Sequence, residues 1–109
     1  MKYMMFVCTD TEPGDDQTGI PDIEQWVADN DGNGRRLEGS VLGPASSATT
    51  VRVRGGELLV TDGPFAETKE IICGYDMLEC DSLEEAVQVA SAHPVAGFGK
   101  IEVRAVWTL

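Results

Sequence analysis

A carboxylate held at a strand end, on the same side as a row of aliphatic residues, is placed for proton transfer. Asp62 meets that description. It follows the run Glu57-Leu58-Leu59-Val60-Thr61, two residues on from Val60, so strand alternation directs it toward the apolar face. Desolvation there raises a carboxyl's pKa and makes it a candidate general acid or base. Gly63-Pro64-Phe65 continue as a stiff loop. An Asx turn in which Asp62 only caps that loop accounts for the same residues.

Glu67 and Lys69, two apart, share a face of any extended segment. With Arg52 or Arg54 they can grip a charged substrate; as solvated surface charges they contribute little. Phe65 and Tyr75 complete the candidate substrate-binding set, although a core or interface tyrosine explains Tyr75 as well. His93, the single histidine, stands just before Pro94 at the end of a helical pattern, where a positive imidazolium is favoured. It is the second candidate catalytic residue. Asp29-Asn30-Asp31-Gly32-Asn33-Gly34 matches the first half of a calcium loop, but position twelve is Ser40 and a strand follows. A helix-ending turn explains it better. No metal site is expected, and no phosphate-cradling glycine loop, nucleophile elbow or zinc spacing points to a cofactor.

The elements that hold these groups belong to one domain spanning residues 1–109, enough chain for a single core. A hydrophobic content of 42% with 25% charged residues is that of a soluble globular protein. The net charge of −11 speaks against nucleic acid or an anionic membrane as partner, since both select clustered Lys and Arg. Residues 1–34 hold eight acids against Lys2 alone, whereas Arg35, Arg36, Arg52 and Arg54 make up half of the basic residues. A local basic patch for a small anion is one reading of those arginines, and a solvated surface is the other. No apolar run approaches the roughly 20 residues of a membrane span, and the N-terminus is interrupted too soon for a signal peptide. Cys8, Cys73 and Cys80 lie in strand-like runs, odd in number and without metal spacing. Buried reduced thiols and a cytoplasmic location are the expectation.

Residues 3–8 read as a strand buried on both faces, and a helix follows, opened by Pro21, Asp22 and Glu24 with Ile20, Ile23, Trp26 and Val27 on one stripe. Leu37–Leu42 is a modest strand weakened by Gly39. Thr49–Arg54 and Glu57–Thr61 flank Gly55-Gly56, a two-residue hairpin turn. Pairing Arg54 with Glu57 sets Val53 opposite Leu58 and Val51 opposite Val60 on one face. Ile71–Cys80 is a longer strand in which Gly74 suggests a bulge or a close backbone approach. Ser82-Leu83-Glu84-Glu85 is a capping box before a helix with Leu83, Ala86, Val87 and Ala90 at helical spacing. Pro94 ends it, and Ile101, Val103, Ala105 and Trp107 alternate along a last strand. Two helices cannot cover both faces of such a sheet. A second copy is the simplest cover for the other face, which predicts a homodimer.

Met1-Lys2-Tyr3-Met4, Thr50-Val51-Arg52-Val53-Arg54-Gly55-Gly56, Thr61 to Glu70, Gly74-Tyr75, Leu83-Glu84-Glu85-Ala86 and Ile101-Glu102-Val103-Arg104 resemble the YCII-related family, DGPF type. The resemblance implies an α+β, ferredoxin-like, dimeric α+β barrel with an antiparallel sheet and two helices on one face. It also implies kinship to small-molecule enzymes that use a histidine and aspartate pair. The first helix and the strand after it hold no histidine, so that pair is not carried over. The expected function is a small-molecule cleft, as in a cofactor-free lyase or isomerase with Asp62 as acid or base. The alternative is a non-catalytic binding or regulatory module linked to an alternative sigma factor.

Overall fold

A computed structural model describes residues 1–16, 22–63 and 71–107. The elements run β1 (Lys2–Cys8), α1 (Ile23–Gly32), β2 (Arg36–Val41), β3 (Thr49–Arg54), β4 (Glu57–Asp62), β5 (Ile72–Glu79), α2 (Leu83–Ser91) and β6 (Lys100–Ala105). Strands β2, β5, β1 and β6 form one sheet in that order, and every pairing in it is antiparallel. Two β-α-β units thus interleave, which is the ferredoxin-like α+β arrangement. The β3–β4 hairpin is inserted between them.

Strand alternation decides the core. Tyr3, Met5 and Val7 on β1 and Leu78 on β5 are buried on one face, against Trp26 of α1 and Ala86, Val89 and Ala90 of α2. The expected α2 stripe is rotated: Leu83 and Val87 are exposed and Val89 is buried. Val87 instead borders a shallow groove with Ile101 and Val103 of β6. All three cysteines are free, Cys8 and Cys80 buried and Cys73 half-buried. Burial, and next the Glu85 carboxylate, push the Cys80 thiol up.

Local signals set the helix ends. Asp22 Oδ1 accepts from the Gln25 N–H at 2.8 Å, capping α1. Past its other end, Asn33 and Gly34 donate backward to the carbonyls of Asp29 and Asp31, with Gly34 at φ +79. The half-motif for calcium is therefore a helix terminus: Asp29 accepts from Gln25 Nε2, Asp31 binds Arg36, and buried Asn30 donates to the Trp26 carbonyl. Ser82 Oγ accepts from the Glu85 N–H at 3.2 Å, one half of the capping box. The Glu85 carboxylate reaches the Asp81 N–H and Arg35 Nε rather than completing the other half.

The hairpin has the register read from the sequence, with Arg54 opposite Glu57, Val53 opposite Leu58 and Val51 opposite Val60. Gly55 and Gly56 carry φ of 57 and 78, values that a primed turn requires. Its two strands pair with each other and with no other strand among the described residues. Val51, Val53, Leu58 and Val60 are accordingly 61%, 58%, 64% and 56% exposed. No helix among the described residues is long and apolar enough to cross a membrane.

Candidate functional site

A cavity of about 790 Å³ opens between α1, the β2–β5 edge of the sheet and the single-turn 3-10 helix Pro94–Gly97. Most of its wall is apolar: Val7, Ile23, Val27, Val41, Val95 and Phe98. Ile23 and Val27 belong to the stripe predicted for α1, so that stripe splits between core and cavity. Trp26 fills the core, and its two neighbours on the stripe line the opening.

Polar groups enter from two sides. Asp76, on β5, shares the inward face with Gly74 and Leu78. Arg36 Nε donates to its Oδ1 at 2.7 Å, while Arg36 Nη1 donates to Asp31 Oδ1 at 2.9 Å. Burial raises the Asp76 carboxyl above the usual range even though Arg36 pulls it down. For Arg36, burial works to lower the pKa, but hydrogen bonds and charge attraction from Asp76 and Asp31 outweigh it and leave it raised. Gly39 on β2 faces Asp76 across the ladder.

His93 enters from the other side. It lies beyond α2 and caps the 3-10 helix, its Nδ1 accepting from the Val95 N–H at 3.1 Å. The neutral ring then carries its proton on Nε2. It packs edge-on against Trp26 with ring centroids 4.8 Å apart, and Trp26 Nε1 donates to the Val89 carbonyl at 2.9 Å. Burial lowers the His93 pKa to about 4. The charged imidazolium expected at a helix end is thus replaced by a neutral ring, because desolvation dominates at a buried site.

Of the residues singled out in the sequence, His93 and Tyr75 border this cavity. Tyr75 does so from β5, while strand alternation sets its side chain on the opposite face of the sheet, with Cys73 and Met77. Asp62 ends β4 opposite Thr49 on the parity of Val60 and Leu58, and it is exposed in the single chain. Its own chain does not supply the enclosure expected for it. Arg52 and Arg54 lie on the same hairpin, and Arg54 Nη1 donates to the Val53 carbonyl. The four clustered arginines therefore separate: Arg35 and Arg36 pair with acids of the body, and the other two stand on the hairpin. Phe65, Glu67 and Lys69 lie outside the described residues. Among the described residues no three His, Cys, Asp or Glu side chains gather as a metal ion would require.

Asp76 was missed by the sequence reading, and Arg36 was noted only as part of a basic cluster, not as its partner. One signal for Asp76 was present: in Ile72–Glu79 it is the only charged residue on the parity of Gly74 and Leu78. A carboxylate on a buried strand face needs a partner.

The YCII-related domain matches residues 1–109. An uncharacterized protein of Rhizobium meliloti (strain 1021) is 40% identical over 70 residues, covering 61% of this chain and 56% of that protein.

Proposed function

The chain belongs to the YCII-related family, and within it we propose a protein that binds a small organic molecule in the cavity beside Asp76 and transfers a proton within it, as a lyase or isomerase does. The observation that supports this most is the pairing of two opposed protonation environments on one apolar hollow. Asp76 is raised and His93 is lowered, both by burial. A carboxylate with raised pKa is a better base, and a neutral imidazole with its proton on Nε2 is a hydrogen-bond donor. Arg36, anchored by Asp31, orients the carboxylate.

The active form proposed is a homodimer. Among the described residues two helices cover one sheet face, and the side that carries Met4, Phe6, Tyr75 and Met77 has no helix over it; the hairpin adds an exposed apolar face of its own. Val51, Val53, Leu58 and Val60 are more than half exposed on one hairpin face, and a clustered apolar face of this kind marks an interaction site. Within such a dimer the hairpin would be covered, and Asp62, at its apolar end, would gain the shelter that an acid or base role needs.

Ligand-induced stabilisation tests the reading. A diverse set of small metabolites should contain compounds that raise the melting temperature, and Asp76→Asn should diminish the response. If no compound shifts melting, or Asp76→Asn leaves every shift intact, the cavity is not the site. Asp62→Asn, run beside it, reports on the hairpin carboxylate: loss of the response places that acid in the site, and an unchanged response removes it. A regulatory module is the second reading, favoured by the same bare hairpin face. It predicts that a partner protein, a sigma factor among the candidates, co-purifies with the chain and is released when that face is charged.

A further inference from the structure

The charges bordering the cavity are unequal. Asp22 and Asp76 are acids, and Arg36 is the one base among the described residues that line it. That base is already committed, Nε to Asp76 at 2.7 Å and Nη1 to Asp31 at 2.9 Å. One guanidinium thus stands between two carboxylates, and Asp22 adds a third acid at the rim, where it caps α1. His93 adds no positive charge, since its Nδ1 accepts the Val95 N–H and its ring is neutral. The described lining therefore holds more acid than permanent base, and its walls are aliphatic and aromatic.

From this arrangement, and resting on the cavity reading above, we infer that the site takes an apolar molecule carrying an amine, with the ammonium group bound by Asp76 and anionic molecules excluded. A carboxylate has lone pairs for about four hydrogen bonds, and the Arg36 bond uses one on Oδ1. An incoming ammonium can donate to the remaining lone pairs without breaking the Arg36 bridge. It also restores the charge balance that the lining lacks. A carboxylate or phosphate meets the opposite situation. An anion that reached the remaining N–H groups of Arg36 would lie beside the Asp76 and Asp31 carboxylates that the same guanidinium already binds. Like charges so placed are rejected, which is how a site discriminates between otherwise similar ligands. The apolar walls formed by Val27, Val41, Val95 and Phe98 set the second requirement, a hydrocarbon or aromatic body.

Three probes of one shape separate the possibilities: 4-phenylbutylamine, 4-phenylbutanol and 4-phenylbutyrate, titrated at pH 7.5 by calorimetry and by amide chemical-shift mapping. The amine should bind at least about tenfold more tightly than the carboxylate, with the alcohol between them, as expected where a like charge is suppressed. In Asp76→Asn the amine should lose its advantage to within about threefold of the alcohol, a residual that other acids of the rim can sustain. The Asp76 carboxyl carbon resonance of the wild-type protein should move with the amine and not with the alcohol, a readout that does not depend on the variant folding. If the alcohol binds and the carboxylate equals or exceeds the amine, the charge inference fails while the cavity reading stands. If none of the three perturbs residues around the cavity, the cavity reading fails and this inference with it. An amine preference that survives Asp76→Asn overturns the assignment to Asp76.

Discussion

Gly39 and Asp76 are cross-strand partners, and a Cβ built on Gly39 would overlap Asp76 Oδ1 and approach the Tyr75 carbonyl to 2.7 Å. The glycine that weakens β2 as an isolated strand is thus what lets a carboxylate lie over the ladder. Gly39→Ala should destabilise the fold by about 1–3 kcal/mol, the usual cost of forced overpacking. Urea unfolding measures it. The carbonyl leaves no relaxed alternative, so a neutral result would mean that β2 does not lie this close to β5 at Gly39.

Arg36→Met isolates the bridge between Asp31 and Asp76. Without the guanidinium, the Asp76 carboxylate is left with burial alone, and stability at pH 7 should fall by on the order of 3 kcal/mol. The sign with pH follows from the raised pKa of Asp76. The folded protein holds that proton more tightly than the unfolded chain, so the group favours folding at acid pH. The advantage is lost as pH rises through its folded value. Removing Arg36 raises that value further, so the difference between variant and wild type should shrink toward pH 4.5. Comparing the two proteins at each pH cancels the contribution of His93. A deficit that stays constant from pH 7 to pH 4.5 would show that Asp76 is not the group responsible.

His93 carries the opposite sign. Its folded pKa, about 4, lies below the ordinary 6.5. Above pH 6.5 both states are neutral and the full stability is present. As pH falls toward 4, the unfolded chain takes up a proton that the folded chain refuses, and stability drops by at most about 1.4 kcal/mol per pH unit. An imidazole resonance that stays unmoved from pH 8 to pH 5 is the direct measurement. A midpoint near 6.5 would contradict the buried, neutral ring.

Trp26→Phe tests the contact that seats His93. The substitution keeps an aromatic ring but removes the Nε1–H that the Val89 carbonyl accepts. An orphaned buried carbonyl and a partial void should together cost about 2–3 kcal/mol. The His93 pKa should move up toward 6.5 as water gains access to the ring. Loss of stability with an unchanged histidine titration would show that Trp26 does not shield it.

Periodicity made the scaffold legible and proximity hid the site. The strands over residues 3–8 and 71–80, the Gly55-Gly56 turn and the Ser82 cap are local signals, and each appears in the structure at its position. Gly74 also kept its expected meaning: a Cβ there would stand 2.9 Å from the Ser40 carbonyl, and the β1–β5 register slips beside it between Val7 and Cys8. The Arg36–Asp76 bond joins residues 40 positions apart. No spacing rule announces such a pair. His93 was visible as a residue but not as a neutral one, because its charge state depends on burial by α1, which is distant in the chain. Asp62 was placed correctly by parity, but enclosure depends on what covers the hairpin.

That cover can be tested on the two faces of the hairpin separately. Leu58 and Leu59 are neighbours on β4, yet Leu58 lies on the face of Val51, Val53 and Val60, while Leu59 pairs with Arg52 on the other. Leu58→Glu introduces a charge into the proposed dimer surface and should convert the protein to monomers in sedimentation. Because β3 and β4 pair only with each other among the described residues, the body should keep its stability within about 0.5 kcal/mol, as for an exposed substitution. Leu59→Glu adds the same charge beside Arg52 and should leave the association state unchanged. Dissociation by both variants would place the contact around the whole hairpin. A wild-type protein already monomeric in dilute solution would remove the basis for a second copy and for any role of Asp62 that depends on its shelter.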